Sequence, residues 1–281
     1  MKNIDRRSFL AGSAVAAATV AMTGSTASAA CGKCAADAKH DHAGHDHKHA
    51  HQEFYELRAY RVPSAEKQTI IKDYFAKALV PALNKLGIDR VGVFETLEGK
   101  DLTLWVLIPF KTLDARVVLN EKLAADKAYQ AAAKDFLVGS KKDPMYTRVE
   151  SWLMKAFAGI PVIEMPAETK AGKDRIFEVR VYESHNEDAA RRKVHMFNNG
   201  ETQTMRDVKL APVFFGETLI GGNVPNLTYM LSAPNMDEHK KHWKAFMAHP
   251  DWNRMKKMPL YKGTVSKIYN YFLKPLKCSQ I

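Results

Sequence analysis

Two short runs of the sequence place an acid, a base and a phenol on alternate residues. Glu56, Arg58 and Tyr60 form the first run, and Glu178, Arg180 and Tyr182 the second. Successive side chains of an extended strand point to opposite faces, so each triplet would share one face. Tyr55, Leu57 and Ala59, like Phe177, Val179 and Val181, would share the other. An arginine on such a face can clamp an anion through paired hydrogen bonds, and a carboxyl or phenol beside it can move a proton. The expectation is that the apolar faces meet helices. Glu56, Arg58, Tyr60, Glu178, Arg180 and Tyr182 would then look into a barrel interior that holds a small polar or anionic ligand. Ion pairs that merely join two sheets are the competing use of the same residues.

A second chemical set lies nearer the N-terminus. Cys31 and Cys34 precede His40, His42, His45, His47, His49 and His51, with aspartates between them. Imidazole, carboxylate and thiolate on one flexible stretch suit copper, zinc or nickel. A Cys31–Cys34 disulfide in an oxidising compartment is an alternative fate for the thiols. The segment 31–52 has almost no apolar side chains and is expected to stay unfolded by itself. The other histidines, His185, His195, His239, His242 and His249, all follow residue 175. His239 and His242 stand three apart on an expected helix, which allows joint metal contact but shows no third ligand. His195 is a solvated helix residue or a haem or metal ligand, His249 a cap or packing residue, and Trp243 and Trp252 core.

What must position these residues is a duplicated unit. Phe54–Tyr60 returns 122 residues later as Ile176–Tyr182, and the same offset carries Phe75 to Phe197 and Glu95-Thr96-Leu97 to Glu217-Thr218-Leu219. With small gaps, Leu102-Thr103 matches Leu227-Thr228, and Pro144, Tyr146, Ser151 and Phe157 match Pro259, Tyr261, Ser266 and Phe272. The modules are expected over 53–157 and 175–281, with a linker at 158–174 whose prolines and glycines break regular structure. In the first, alternation predicts a strand at 54–60. Ile70, Ile71, Tyr74, Phe75, Ala78, Leu79, Leu83 and Leu86 predict a helix capped by Ser64, kinked by Pro81 and closed by Gly87. Strands at 90–97 and 102–108, a helix at about 114–136 and a strand near 145–154 complete a βαββαβ order. The predicted class is α+β: two tandem ferredoxin-like modules whose bare sheet faces pack together as a pseudo-dimeric α+β barrel.

The first thirty residues read as an address rather than as structure. Asp5-Arg6-Arg7-Ser8-Phe9-Leu10, an uncharged alanine-rich stretch and Ala27-Ser28-Ala29 follow one another as in a twin-arginine export signal. The expected destination is the periplasm or the medium, with lipid attachment at Cys31 as a rival to simple cleavage. Loss of residues 1–30 removes three basic residues and one acidic residue, so the net charge falls from +11 to +9. That balance favours anionic ligands or surfaces. The lysines are scattered and not interleaved with aromatics, which argues against a nucleic-acid partner. A small molecule or a protein is the expected partner, and a homo-oligomer is allowed.

Pro212-Val213-Phe214-Phe215-Gly216-Glu217-Thr218-Leu219, Pro225-Asn226-Leu227-Thr228-Tyr229-Met230-Leu231 and His249-Pro250-Asp251-Trp252 closely resemble the NIPSNAP family, and Glu56–Tyr60 fits it too. The second copy matches over nearly its whole length, whereas the first lacks the Phe-Phe-Gly and His-Pro-Asp-Trp sequences. The resemblance implies the dimeric α+β barrel fold, which small monooxygenases and haem-handling proteins share, and no particular catalytic residues. The sequence thus supports an exported barrel that binds a small ligand or a partner and carries a metal-collecting tail. A cofactor-free monooxygenase or a haem-linked oxidoreductase using the barrel interior is the alternative. Deleting residues 31–51 should remove most divalent-metal uptake in calorimetry and leave the melting curve unchanged. Undiminished uptake would refute the assignment of the tail.

Overall fold

The computed structural model describes residues 51–281. Cys31, Cys34, His40, His42, His45, His47 and His49 lie outside the described residues, and His51 is exposed and outside regular structure. Eight strands make up the sheet: β1 (Phe54–Arg61), β2 (Gly92–Thr96), β3 (Leu104–Phe110), β4 (Arg148–Ala156), β5 (Ile176–Glu183), β6 (Ala211–Ile220), β7 (Asn226–Ala233) and β8 (Lys267–Pro275). They close into a barrel in the order β1-β3-β2-β8-β5-β7-β6-β4, and every neighbouring pair is antiparallel. Each half of the chain supplies four contiguous strands, and the halves are joined at β2/β8 and at β4/β6. Among the described residues, closure leaves no strand of the ring as an open edge.

The helices lie outside the ring. The first half has α1 (Ala65–Tyr74), α2 (Val80–Lys85), α3 (Leu113–Val117), α4 (Leu119–Ala125), α5 (Lys127–Ala132) and α6 (Lys134–Leu137). After α7 (Ala167–Lys170), the second half has α8 (Glu187–Met196), α9 (Thr202–Asp207), α10 (Met236–Ala248) and α11 (Pro250–Met255). Side chains that accept from backbone N–H groups start the main ones: Ser64 from Lys67, Asn186 from Ala189, Asn235 from Glu238, and His249 from Asp251. Short π-helical turns, Phe75–Leu79 and Phe197–Glu201, follow α1 and α8 at the same offset of 122. In the first half Pro81 comes two residues later and has no N–H to continue an ordinary ladder. In the second, Gly200 takes φ +141°, and a Cβ there would meet Met255 Sδ at 2.9 Å. The single long helix expected over 114–136 is divided into α3 to α6. Asp126, at φ −80° and ψ 101°, leaves helical geometry and caps the next piece through Ala128 and Tyr129.

The barrel interior is apolar. Tyr55, Leu57 and Ala59 of β1 meet Phe94, Trp105, Leu107, Met154, Phe177, Val179, Phe214, Met230 and Leu273 in one buried cluster. A second cluster joins α1, α2, α4 and α5 to the outer face of the first half's strands, through Ile71, Phe75, Leu79, Val106 and Ile108 among others. A third does the same for the second half, with Phe197, Met205, Phe215, Tyr229, Leu231 and Phe246. The expected orientation of β1 and β5 is therefore reversed. The apolar residues face inward and the Glu-Arg-Tyr triplets face the helices, because an eight-stranded ring is just wide enough to be filled by its own side chains. Charge placed in the middle of that interior cluster would have to give up its solvation.

The stretch 158–174 is packed into the fold. Ile160 and Ile163 are buried, Glu164 N–H donates to the Val213 carbonyl, and Glu53 accepts from Ile163 N–H. Truncating Phe177, which sits against Phe94 at a centroid distance of 4.9 Å inside the ring, tests the account of the core. Phe177→Ala should cost about 3–5 kcal/mol in urea unfolding. A loss below about 1 kcal/mol would mean that the interior is not the close-packed centre of the molecule.

Candidate functional site

The two triplets occupy equivalent places and make different surroundings. In the first half Glu56 is held by Arg58 at 2.7 Å and by Arg116 of α3 at 2.6 Å, and accepts from Ser151 Oγ at 2.8 Å. Burial opposes the charged form of Glu56, but the bonds and charges of Arg58 and Arg116 outweigh it and hold the carboxyl below its ordinary range. Tyr60 belongs to the helix-side apolar cluster. This half shows a satisfied ion cluster at its triplet.

In the second half Arg180 Nη1 bonds Glu178 at 2.7 Å, and Arg180 Nε donates to the Tyr182 hydroxyl at 3.2 Å. Tyr229 donates its hydroxyl proton to Tyr182 at 2.8 Å. The other oxygen of Glu178 accepts from Trp243 Nε1 at 2.9 Å and lies 3.0 Å from His239 Nε2, both on α10. Burial acts against the Glu178 charge, yet His239 and Arg180 bring the carboxyl below its usual range. The Arg180 guanidinium lies 4.6 Å from the centre of the Trp243 ring. Trp243 is thus a polar partner as well as a packing residue, and His239 is committed to Glu178 instead of to a metal shared with His242. Among the described residues no three His, Cys, Asp or Glu side chains converge where a metal ion could be held.

Beside this network a cavity of about 400 Å³ opens between the outer face of the sheet and the helices. Arg180 and Tyr182 line it from β5, Lys193 and Met196 from α8, Glu201 from the π-helical turn, and Trp243 and Trp252 from α10 and α11. Lys193 and Glu201 form an ion pair of 2.6 Å with both side chains almost wholly buried. The Lys193 ammonium also lies 4.6 Å from the Phe197 ring centre and 5.6 Å from those of Tyr182 and Trp252. Burial pushes the Glu201 carboxyl up, even though Lys193 and Arg180 pull the other way. Tyr182 and Tyr229 are likewise raised by burial, so both phenols stay protonated near neutral pH.

Lys193 and Glu201 were not singled out by their types, and the duplication is what exposes them. An offset of 122 sets Lys193 opposite Ile71 and Glu201 opposite Leu79, two fully buried aliphatic residues of the first half. Where one copy uses oil, the other uses an ion pair. His195 is tied to the Tyr261 hydroxyl at 2.9 Å and His249 caps α11. Neither His195 nor His239 lines the cavity, so the histidines do not fit an axial ligand for haem there. A larger recess of about 790 Å³ lies between residues 164–168, the end of α9 and α10. Its Arg206 and Lys241 are taken up by Glu164 and Glu238, and it contains no comparably buried charge.

A family model described as NIPSNAP matches residues 55–149 and 177–280. The chain belongs to the NIPSNAP family. A second model, the twin-arginine translocation pathway signal sequence, matches residues 3–23, which points to export across a membrane. No curated protein matches the chain. Among solved structures, a candidate monooxygenase from Lactobacillus acidophilus is 11% identical, with 80% of this chain and 94% of that chain covered and a TM-score of 0.54. A second candidate monooxygenase, from Fusobacterium nucleatum, is 10% identical, with coverages of 80% and 93% and a TM-score of 0.51. At these identities the likeness shows a shared α+β barrel fold. A NIPSNAP family protein of unknown function from Agrobacterium tumefaciens is 17% identical over 36% of this chain and 87% of its own, with a TM-score of 0.33.

Within the NIPSNAP chain the buried pair has a definite pH signature. Lys193→Ile leaves Glu201 without its counter-charge and should cost about 3–5 kcal/mol at neutral pH. A carboxyl whose folded pKa is raised favours the native state below the unfolded pKa and loses that contribution as pH rises through the folded value. The deficit of Lys193→Ile should therefore shrink on acidification, and Lys193→Ile/Glu201→Leu should melt at or above the wild type. Urea unfolding at neutral and acid pH measures both effects. Wild-type stability of the single variant at neutral pH would show that the pair is not the buried couple described.

Proposed function

We propose that this exported NIPSNAP protein works in the periplasm or the medium as a small-ligand-binding protein. Its ligand is an anion with an aromatic or conjugated body, held in the second half between sheet and helices. The halves are tandem ferredoxin-like modules, a reading supported by their strand orders, β4-β1-β3-β2 and β8-β5-β7-β6. The observation that carries the ligand assignment is the replacement of Ile71 and Leu79 by Lys193 and Glu201 at the wall of a cavity.

A buried ion pair is often no more stabilising than the apolar pair it replaces. The first half supports this fold with the apolar pair, so stability alone gives no reason for the charges. Lys193 presents positive charge among aromatic rings. Arg180 offers a second cation, and Trp243, Trp252, Tyr182 and Tyr261 offer flat walls. Burial pushes the Glu201 carboxyl up, so an incoming anion can displace it from Lys193 as Glu201 takes up a proton. The Glu56, Arg58 and Tyr60 set would serve as the structural counterpart, with Arg116 occupying the place nearest its carboxylate.

Anilinonaphthalene sulfonate, a fluorescent aromatic anion, is a suitable probe. It should bind the wild type saturably, and Lys193→Ile/Glu201→Leu, folded like the wild type, should bind it at least about tenfold more weakly, a change of about 1.4 kcal/mol. Equal affinity in the two proteins would sink the proposal.

A further inference from the structure

The mouth of the cavity is chemically unlike its walls. Met247, Lys256, Lys262 and Ile268 border it and are exposed, Met247 at 51% and Ile268 at 47%. Lys257 and Leu260 stand between Lys256 and Lys262 in the chain, both exposed, Leu260 at 49%. Residues 240–268 contain eight lysines and arginines and a single acidic residue, Asp251, so this short segment carries +7. Asp251 is paired with Arg254. Among the described residues Lys256, Lys257 and Lys262 have no acidic partner within salt-bridge distance.

We propose that this face docks on an anionic lipid bilayer. The combination of charges and apolar groups selects the partner. A soluble polyanion would use the lysines and leave Met247, Leu260 and Ile268 in water. A nucleic acid would further want exposed rings for stacking, whereas Trp243 and Trp252 are turned into the cavity wall. An anionic membrane surface takes both features together: lysines at the headgroups and aliphatic side chains at the boundary beneath them. The order Lys256-Lys257-Met258-Pro259-Leu260-Tyr261-Lys262 supplies them within one turn of chain after α11. Exposed apolar residues scattered singly need no explanation, but Met247 and Ile268 at one opening, with Leu260 two residues from Lys262 of the same rim and unpaired lysines among them, do. Export sets the protein in a compartment bounded by membrane, which makes the encounter available. Because the mouth lies within this face, a cavity ligand would be taken from the lipid side, and that clause alone rests on the function proposed above.

Co-sedimentation with vesicles tests the docking. The purified protein should pellet with phosphatidylcholine vesicles containing phosphatidylglycerol at about 0.1 M salt and stay in solution with phosphatidylcholine alone. Lys257→Gln should lower the partition about fivefold. Leu260→Ser, which keeps the charge, should lower it about tenfold. Neither residue lines the cavity, so both variants should keep the wild-type melting curve and wild-type affinity for anilinonaphthalene sulfonate. Failure of the wild type to pellet with the anionic vesicles overturns the inference, and so does a Leu260→Ser variant that partitions like the wild type, since the contact would then be with charge alone. Vesicle binding without probe binding would uphold the docking face and overturn the ligand proposal; the reverse outcome would do the opposite.

Discussion

A closed ring of eight strands has room inside for little beyond its own side chains, and that limit decides where this protein can keep charge. Phe94, Trp105, Phe177, Phe214 and Met230 fill the middle of the interior, where a Glu-Arg-Tyr strip would lose its solvation without the partners it finds under the helices. The polar faces of β1 and β5 are consequently turned outward, under the helices. There, partners come from a different layer: Arg116 for Glu56, and His239 and Trp243 for Glu178. With the middle of the interior given to apolar groups, charge on the inward face stands at an end of the barrel, where Arg61 pairs with Glu150 beside Trp105 and Trp152, and more deeply buried charges lie between sheet and helix.

The two halves then diverge within a common frame. Both place a π-helical turn after the first helix and both direct a carboxylate-guanidinium pair at the helix layer. In the first half the space behind that turn is closed by Ile71 and Leu79 against Phe75 and Val106. In the second, Gly200 bends the chain and brings Met255 close, and Glu201 and Lys193 meet at the wall of an open cavity. Duplication lets one copy keep the fold while the other departs from the packing that stability alone favours. The copies also differ in their second helical region, which is α3 to α6 in the first half and α10 and α11 in the second. Ser64 and Asn186 cap equivalent helices, and the strand order of one half repeats in the other.

Electrostatics in the second half follow from burial more than from net charge. Glu178 and Glu201 both lie under the helices, yet they shift in opposite directions. Glu178 is surrounded by donors on both oxygens, and these overcome desolvation. Glu201 has Lys193 as its close partner in a drier place, and desolvation prevails. Two carboxyls on the same side of one sheet are thereby set apart, one held below its ordinary range and the other pushed above it. The Tyr182 and Tyr229 hydroxyls, hydrogen-bonded to each other, link Arg180 to the apolar interior of that layer.

Much of this was legible in the residues themselves. The export signal, the duplication at a constant offset, the Ser64 and His249 caps and the mixed α+β order all depend on local spacing, which a chain carries without knowing its neighbours. Even the distinction between Lys193 and Ile71 was present, readable once the copies were aligned. The inward or outward sense of β1 and β5 was not. Alternation divides a strand into two faces but does not say which one meets the helices, and both faces here contain large buried side chains. That choice is made by ring closure, when eight strands from distant parts of the chain together define how much volume is left inside. The pairing of Glu178 with His239 and Trp243, some sixty residues away, likewise exists only after α10 is laid across β5.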